Sequence, residues 1–382
     1  MLIFFLRSII SCTHFDSSEQ KAWKELNQKA YLNYQKGNFY KGVQWMEKAC
    51  DYAIEHFGQD HPDTLSSMKN LILFYMEQGR KTEAEPLLIK LIEASKKAFG
   101  DHHHFTVGCM DRLGAFYVTT GQLKKALSLY NDLLVVKKEA LGDHHPAVRN
   151  VLNNLAAIYS GLKELDQAEQ MYGQIIDFKV STHKKKDDVS IDEVPLNARL
   201  DLAKLYESQH KYDLAEKQYM YVYEYYRDQK GENDHKTLTT MHYLAQLYGM
   251  AEAESKALEL YEKGYHICQN HRTSTDSLLF MFQKNRAILK VQLRQGKLAE
   301  TAMNDVLKKS IDLYGQYDPN TIMIMYYSGI QKENMGNIQQ AENIFKTVLT
   351  HAKAIFGETH FMTETIEKHF SDFMQHYHPN DS

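Results

Sequence analysis

Small residues recur along the chain at a fixed interval, and the apolar positions around them keep the same register. One series advances in steps of 42 residues, with five extra residues between its fourth and fifth members: Gly42, Ala84, Ala126, Ala168, Ala215, Ala257, Ala299 and Ala341. A second series lies twelve residues ahead of the first: Ala30, Ile72, Gly114, Ala156, Ala203, Ala245, Ala287 and Gly329. A fixed period of this length is typical of proteins that stack copies of one supersecondary unit. The two series therefore predict eight repeats.

Large apolar residues lie at helical spacing from the small ones. Rings or leucine stand nine residues before or four residues after members of the first series, at Tyr75, Tyr117, Tyr159, Tyr206 and Tyr248, and at Leu88, Tyr130, Tyr172, Tyr219, Tyr261 and Phe345. Two antiparallel helices approach to about 8–10 Å only where the crossing side chains are small. Each repeat is therefore predicted to be a helix pair, with the rings wedged between repeats as core rather than as ligand-binding residues. The predicted fold is an all-α solenoid.

The joints between repeats carry helix-stop and helix-start signals. Lysines precede a glycine in stretches such as KKAFG, and four residues after the glycine come Pro62, Pro146 or Pro319. Lysine and glycine suit the end of a helix, and proline suits the first position of the next one. Acidic and histidine residues stand between them, where free amide N–H groups need acceptors. The competing hypothesis, a metal site at 101–104 or 143–145, is less favoured because adjacent histidines on a turn point apart and zinc spacing is missing.

The pattern divides the chain into segments. Residues 20–177 hold repeats 1–4 and residues 196–356 hold repeats 5–8. Between them the charged stretch 178–195, FKVSTHKKKDDVSIDEVP, lacks the joint glycine and is predicted to be an exposed inter-repeat loop. Residues 357–377 are predicted to form a capping helix, with 378–382 as a tail, because apolar residues recur there every three or four positions: Met362, Ile366, Phe370, Phe373 and Tyr377.

Composition narrows the function classes. The 382 residues carry a net charge of −4 and no long basic block, which argues against a nucleic-acid partner. No apolar run reaches the roughly 18–20 residues of a membrane span. The four cysteines, at 12, 50, 109 and 268, are too far apart in sequence for a paired framework, so the last three are predicted to be reduced and packed. Phosphate loops, HExxH and GxSxG are absent, so neither an enzyme nor a cofactor is predicted.

The N-terminal segment 1–19 leaves two hypotheses open. Its start, MLIFFLRSIISC, is apolar and ends in a stretch that resembles a bacterial lipobox, which makes Cys12 a candidate lipidation site. The apolar part is short and its charge, Arg7, lies inside it, unlike a standard signal peptide. The expected location is cytoplasmic; the alternative is export or membrane anchoring through this segment.

Helix pairs with this order of small and aromatic residues resemble tetratricopeptide repeats, and the longer unit resembles those of kinesin light chain. The motifs that carry the resemblance over about residues 20–377 are LGDHHPAV at 141–148, LNNLAAIY at 152–159, FGQDHPDTL at 57–65 and EAEPL at 83–87. The resemblance implies a right-handed α-solenoid in which the first helix of each repeat lines a concave groove that holds extended peptides. The heptads that this family carries ahead of its repeats have no counterpart in the first twenty residues, so the resemblance is taken to imply shape and binding mode only.

The kinesin light chain groove uses asparagine and basic residues to hold acidic segments, and this sequence has such residues at matching positions. The predicted peptide-binding residues are Asn27, Lys69, Asn150, Asn153, Asn197, Lys204, His242 and Lys284. An asparagine amide both donates to and accepts from a peptide backbone, and lysine favours acidic peptides. The carboxylate-clamp mode is disfavoured because the residue after each small position of the first helix is not asparagine.

Two hypotheses of function follow. The first is a non-enzymatic scaffold that binds an extended, acidic segment of a partner protein in its groove, with no cofactor and no metal. The alternative is a membrane-tethered lipoprotein that assists assembly through its outer surface. The oligomeric state and the partner are not predicted.

Overall fold

The computed structural model describes residues 18–177, 194–271 and 276–379, which form seventeen α-helices and no strand. The helices are α1 Ser18–Gln35, α2 Phe39–Phe57, α3 Pro62–Glu77, α4 Lys81–Phe99, α5 His104–Thr119, α6 Leu123–Leu141, α7 Pro146–Gly161, α8 Leu165–Ile176, α9 Val194–Ser208, α10 Tyr212–Lys230, α11 His235–Met250, α12 Glu254–His271, α13 Ser277–Gln292, α14 Gly296–Tyr314, α15 Pro319–Asn334, α16 Ile338–Phe356 and α17 Phe361–Tyr377. Cys12 with its N-terminal segment and most of the predicted loop 178–195 lie outside the described residues. No described helix combines the length and apolar character that a membrane span requires.

Helices that follow one another in sequence pack together within each of two compact units, Met1–Pro195 and Leu196–Ser382. Helices α1 to α8 form four hairpins in the first unit. Four hairpins and α17 form the second, where Arg199 of α9 donates to Gln218 of α10. First helices begin 42 residues apart, at Pro62, His104 and Pro146 in the first unit and at His235, Ser277 and Pro319 in the second. The all-α fold of eight hairpins is confirmed, and the helix starts are compatible with a 42-residue repeat.

All sixteen residues of the two small-residue series are buried. The ring of Tyr130 lies so close to Gly114 that a Cβ at that glycine would come within 2.8 Å of it, and Phe345 approaches Gly329 in the same way. Ile72 is the one large member, and its repeat carries the smaller Leu88 in place of a ring, with both residues in one core cluster. Small and large positions therefore compensate each other, which keeps the two helices of a hairpin at close distance.

Each joint closes one helix and starts the next. At Gly100, as at equivalent glycines, φ is near +90° and the N–H donates to the carbonyl four residues back, a conformation in which a Cβ is strained. The following first helix is capped by histidine, whose Nδ1 accepts a backbone N–H from the residue two positions on, at His61, His103, His145 and His360. Aspartate does the same at Asp234, Asp276 and Asp318. The predicted stop-and-start function of these joints is confirmed.

Helix α17 covers the end of the last hairpin. The ring of Phe373 lies 5.3 Å from that of Phe345, and Ile366 is buried against Val348 of α16. Lys353 adds an ion pair to Glu367 at 2.7 Å. This helix therefore buries apolar surface that an open final repeat would leave exposed.

Candidate functional site

The predicted peptide-binding residues of the first unit lie on first helices but differ in exposure. Asn27 of α1 is buried, and its amide donates to the carbonyl of Trp23 at 2.9 Å. Asn150 and Asn153 of α7 are exposed, three residues apart and therefore on one face of that helix. Of these three asparagines, the pair on α7 presents amides to solvent, where they can donate to and accept from a bound backbone.

Lys69 of α3 is a partly desolvated cation beside another cation. Its side chain is half-buried, and the ammonium lies 5.8 Å from the centre of the Phe105 ring. Burial, reinforced by the charge of Arg112, lowers the pKa of Lys69. At the next position of the same register, Asp111 is paired with Lys137 at 2.7 Å. Lys69 and Arg112 therefore place two cationic groups close together on this part of the first unit.

In the second unit, Asn197 and Lys204 are exposed on α9. The Lys204 ammonium lies 3.5 Å from a carboxylate oxygen of Asp201 and 5.5 Å from the centre of the Tyr243 ring. The structure therefore brings Lys204 close to the ring of Tyr243 on α11, a proximity that the sequence register did not indicate.

His242 and Lys284 occupy the equivalent register position on α11 and α13. His242 is only 8% exposed, lies among the rings of Tyr261 and Phe282, and its Nδ1 has no hydrogen-bond partner among the described residues. Burial, together with the charge of Lys284, lowers the pKa of His242 to about 4. Burial also lowers the pKa of Lys284, whose ammonium donates to Asn320 at 2.8 Å. The carboxylate of Asp318 acts in the opposite direction and raises the pKa of Lys284, so near pH 7 this region holds one ammonium beside a neutral imidazole.

Sequence reasoning missed a cavity of about 700 Å³ in the second unit. Helices α9 to α13 line it, with Lys204, Glu207 and Gln246 at its polar edge and Tyr219, Tyr261 and Ile288 among its apolar walls. The cavity depends on the combined volumes of side chains from five helices, which a repeat pattern does not specify. The signal that could have found it is Gly249, a helical glycine at its lining, because glycine inside a helix lowers stability relative to other residues.

In the described part of the chain, the side chains able to bind a metal are scattered and the cysteines are buried. No three His, Cys, Asp or Glu side chains there are grouped so that they could hold a metal ion. Cys50, Cys109 and Cys268 are buried and form no disulfide among the described residues, and burial raises the pKa of the Cys109 thiol to about 11. A thiol of this kind is protonated near neutral pH and is a weak nucleophile.

Two family models, both described as tetratricopeptide repeat, match the chain. One matches residues 65–134, 106–179 and 195–270, and the other matches residues 26–63. Together the matched ranges cover more than half of the 382 residues. No curated protein matches the sequence.

Solved structures of repeat proteins are similar to this chain at low sequence identity. A Signal Transduction ATPase with Numerous Domains (STAND) protein from Pyrococcus horikoshii, with a tetratricopeptide repeat sensor, aligns with TM-score 0.54 and 11% identity. That alignment covers 97% of this chain and 56% of the other, so this chain spans about half of that protein. BtubC (BKLC) from P. vanneervenii gives TM-score 0.49 and 17% identity over 65% of this chain and 92% of the other. TPR-like repeats assigned to a kinesin light chain of Podosopora anserina give 0.46 and 21% over 56% and 99%.

Proposed function

The chain belongs to the tetratricopeptide repeat family, and we propose that it is a non-enzymatic scaffold that binds an extended, acidic segment of a partner protein along its first helices. Tetratricopeptide repeat scaffolds typically mediate protein–protein interaction. The acidic character of the segment and the residues that bind it are the part proposed here.

The observation that carries this proposal is a recurrent, partly desolvated cation at one register position of the first helices. Lys69 lies beside the guanidinium of Arg112 in the first unit, and burial lowers the pKa of Lys284 in the second, where the neighbouring His242 is neutral near pH 7. Removing either ammonium from water costs free energy, and in the first unit the charge of Arg112 adds to that cost; a carboxylate of a ligand would offset it. Partly desolvated ammonium groups at the same register position in both units would gain from an anionic partner, which supports recognition of acidic peptides.

The exposed amides of Asn150, Asn153 and Asn197 complement these cations. An amide group recognises the peptide backbone rather than a particular side chain, which suits an extended segment whose acidic residues supply the selectivity. Lys204 adds a cation on the same helix as Asn197. These contacts remain predictions for the bound state.

The proposal is tested with the full chain and a displayed library of random peptides about twelve residues long, which span about 40 Å when extended. The unmodified protein is expected to retain peptides enriched in Asp and Glu. Replacing Lys69 and Lys284 by glutamine is expected to weaken binding of a selected peptide about tenfold, which corresponds to about 1.4 kcal/mol. Binding is measured by fluorescence anisotropy at two salt concentrations. Higher salt should reduce the difference in affinity between the unmodified protein and the double variant.

The matched control replaces Lys124 and Lys308, exposed lysines on the second helices α6 and α14, by glutamine. It makes the same change in net charge away from the first helices and should bind like the unmodified protein. Equal weakening by both double variants would show that only overall charge matters, and retention of no acidic peptide would reject the proposal.

A further inference from the structure

The first helix of the seventh hairpin, α13, departs from the repeat pattern at two positions. Arg286 stands directly before the small residue Ala287, and Lys290 stands three residues after it. At the position of Arg286, five other first helices carry a buried leucine: Leu71, Leu113, Leu155, Leu202 and Leu244. At the position of Lys290, five carry a tyrosine: Tyr75, Tyr117, Tyr159, Tyr206 and Tyr248. A departure of this kind is expected where residues serve a function besides packing.

The two cations share a face of α13 and pair with the same carboxylate of α12. Lys290 Nζ lies 2.6 Å from one oxygen of Glu262, and Arg286 Nη1 donates to the other at 3.2 Å. The guanidinium of Arg286 also lies over the ring of Tyr265, 3.7 Å from its centre, which restricts its orientation. The side chains of Arg286 and Lys290 are 12% and 14% exposed, so water screens their charges poorly but still reaches them.

The charge at this interface is out of balance, unlike that of the next repeat. Lys332 occupies the position of Lys290 there and pairs with Glu300 at 2.7 Å, one cation with one carboxylate, and a serine stands at the position of Arg286. Around Glu262, two permanent cations share one carboxylate, and neither pairs with another carboxylate among the described residues. One positive charge is therefore in excess, and its partial burial costs free energy that an anion would offset.

Hydrogen-bond donors also exceed acceptors in this cluster. A guanidinium and an ammonium together offer more N–H donors than one carboxylate accepts. The Nε of Arg286 is buried and makes no hydrogen bond with the described residues. His266 of α12, whose Nε2 lies 3.8 Å from Glu262, brings a further group that is charged when protonated. A phosphate group fits this excess, because it has more acceptor oxygens than a carboxylate and is bound by both arginine and lysine.

We propose that the cluster of Glu262, His266, Arg286 and Lys290 is a binding site for a phosphate group, either inorganic phosphate or a phosphate monoester. The phosphate oxygens accept from donors of the two cations that Glu262 leaves unused, and the phosphate charge offsets the excess positive charge. The site lies between the second helix of one hairpin and the first helix of the next. It does not use the first-helix cations to which peptide binding is assigned, and it does not depend on that function.

The test titrates the full chain with inorganic phosphate and, separately, with glycerophosphate, at constant ionic strength set with chloride. Binding is measured by isothermal titration calorimetry and by the rise in melting temperature that a ligand of the folded state produces. The unmodified protein is expected to bind both compounds at one saturable site. Tighter binding of glycerophosphate identifies a monoester as the ligand, and tighter binding of inorganic phosphate identifies the free ion.

The decisive variant combines Arg286→Leu with Lys290→Tyr, the residues that the chain itself has on α11 at Leu244 and Tyr248. Tyrosine can donate to a carboxylate at this interface, as Tyr248 does to Glu216 at 2.6 Å. Replacing nearly buried ion pairs by packed residues is often neutral for stability, so the melting temperature without phosphate should not fall. Binding of both phosphate compounds should weaken at least about tenfold.

Two controls accompany this variant. Lys69→Gln with Lys284→Gln makes the same change in net charge at the first-helix cations and should bind phosphate like the unmodified protein. Lys332→Tyr makes the same substitution one repeat further on, where one cation pairs with one carboxylate, and should also leave phosphate binding unchanged.

Three results would overturn the site. They are the absence of saturable binding of either compound to the unmodified protein, equal binding by Arg286→Leu with Lys290→Tyr, and loss of binding in Lys69→Gln with Lys284→Gln. The last result would assign the phosphate to the first-helix cations instead. Since the titrations contain no peptide, their outcome is separate from that of the proposed function.

Discussion

At the scale of single residues, His242 shows how a repeat register can place a titratable group where water does not reach. The register puts it on the same position as Lys69 and Lys284, but the rings of Tyr261 and Phe282 surround it. The neutral form is favoured in the folded protein because burial penalises the imidazolium and Lys284 repels it.

This gives the protein an acid-labile position. The pKa of His242 is about 4 in the folded state against about 6.5 in an unfolded chain. The contribution of His242 to the free energy of unfolding is therefore intact above pH 6.5 and is lost as pH falls toward 4. Between pH 7 and pH 5 the loss should be about 2 kcal/mol. Urea unfolding of the unmodified protein and of His242→Phe at both pH values measures it. The variant should lose less stability on acidification, and equal losses would contradict the assignment.

At the scale of helices, the sizes of two facing side chains vary together from repeat to repeat, so that a larger residue on one helix stands opposite a smaller one on the next. Val306 and Ile324 occupy one such pair in core clusters of α14 and α15, and Gly264 and Phe282 occupy the equivalent pair on α12 and α13. A Cβ on Gly264 would lie 2.2 Å from the Phe282 ring. The glycine is therefore required by the large ring opposite rather than by backbone conformation.

This size matching predicts that a second substitution can restore the stability lost through the first. Gly264→Val alone should lower the free energy of unfolding by about 1–3 kcal/mol, because it overpacks the contact with Phe282. Combining it with Phe282→Ile copies the Val306 and Ile324 pair and should recover most of that loss. Thermal or urea unfolding of the two single variants and the double variant forms a complete cycle. Additive losses would show that the two positions are not coupled.

The sequence predicted the helices and the joints between repeats well, but it did not predict how deeply each side chain is buried. The small-residue series predicted the eight hairpins because close helix crossing excludes large side chains. The joint motif predicted the helix caps because the N–H groups at helix N-termini need acceptors. The same register placed Asn27 and Asn153 at equivalent positions, yet Asn27 is buried and Asn153 is exposed. Burial and the cavity depend on neighbouring side chains that differ from repeat to repeat, so a pattern shared by all repeats cannot specify them.

At the scale of the whole molecule, each unit is held by contacts between successive helices, and in the second unit α11 also contacts α13 and α13 contacts α15. The Trp23 indole illustrates the reach of such contacts, since it donates to Ser67 in the next repeat at 2.7 Å. Stability in an array of this kind is a sum over repeats and their nearest-neighbour interfaces.

A change in one repeat should therefore weaken that part of the unit first. Ala168 of α8 is fully buried, and Ala168→Leu should cost about 1–3 kcal/mol through overpacking. Hydrogen exchange followed by mass spectrometry should show lost protection in α7 and α8, with α1 and α2 of the same unit retaining theirs. A uniform loss across the first unit would argue against independent stacking.

Trp23 and Ser67 are only 44 residues apart in the chain, and contacts of such short sequence separation also affect how the protein can fold during its synthesis on the ribosome. A nascent chain has the partners for each hairpin as soon as the next one leaves the ribosome, and loops between distant segments need not close. Assembly can then keep pace with translation from the N-terminus, so unburied helix faces are confined to the growing end.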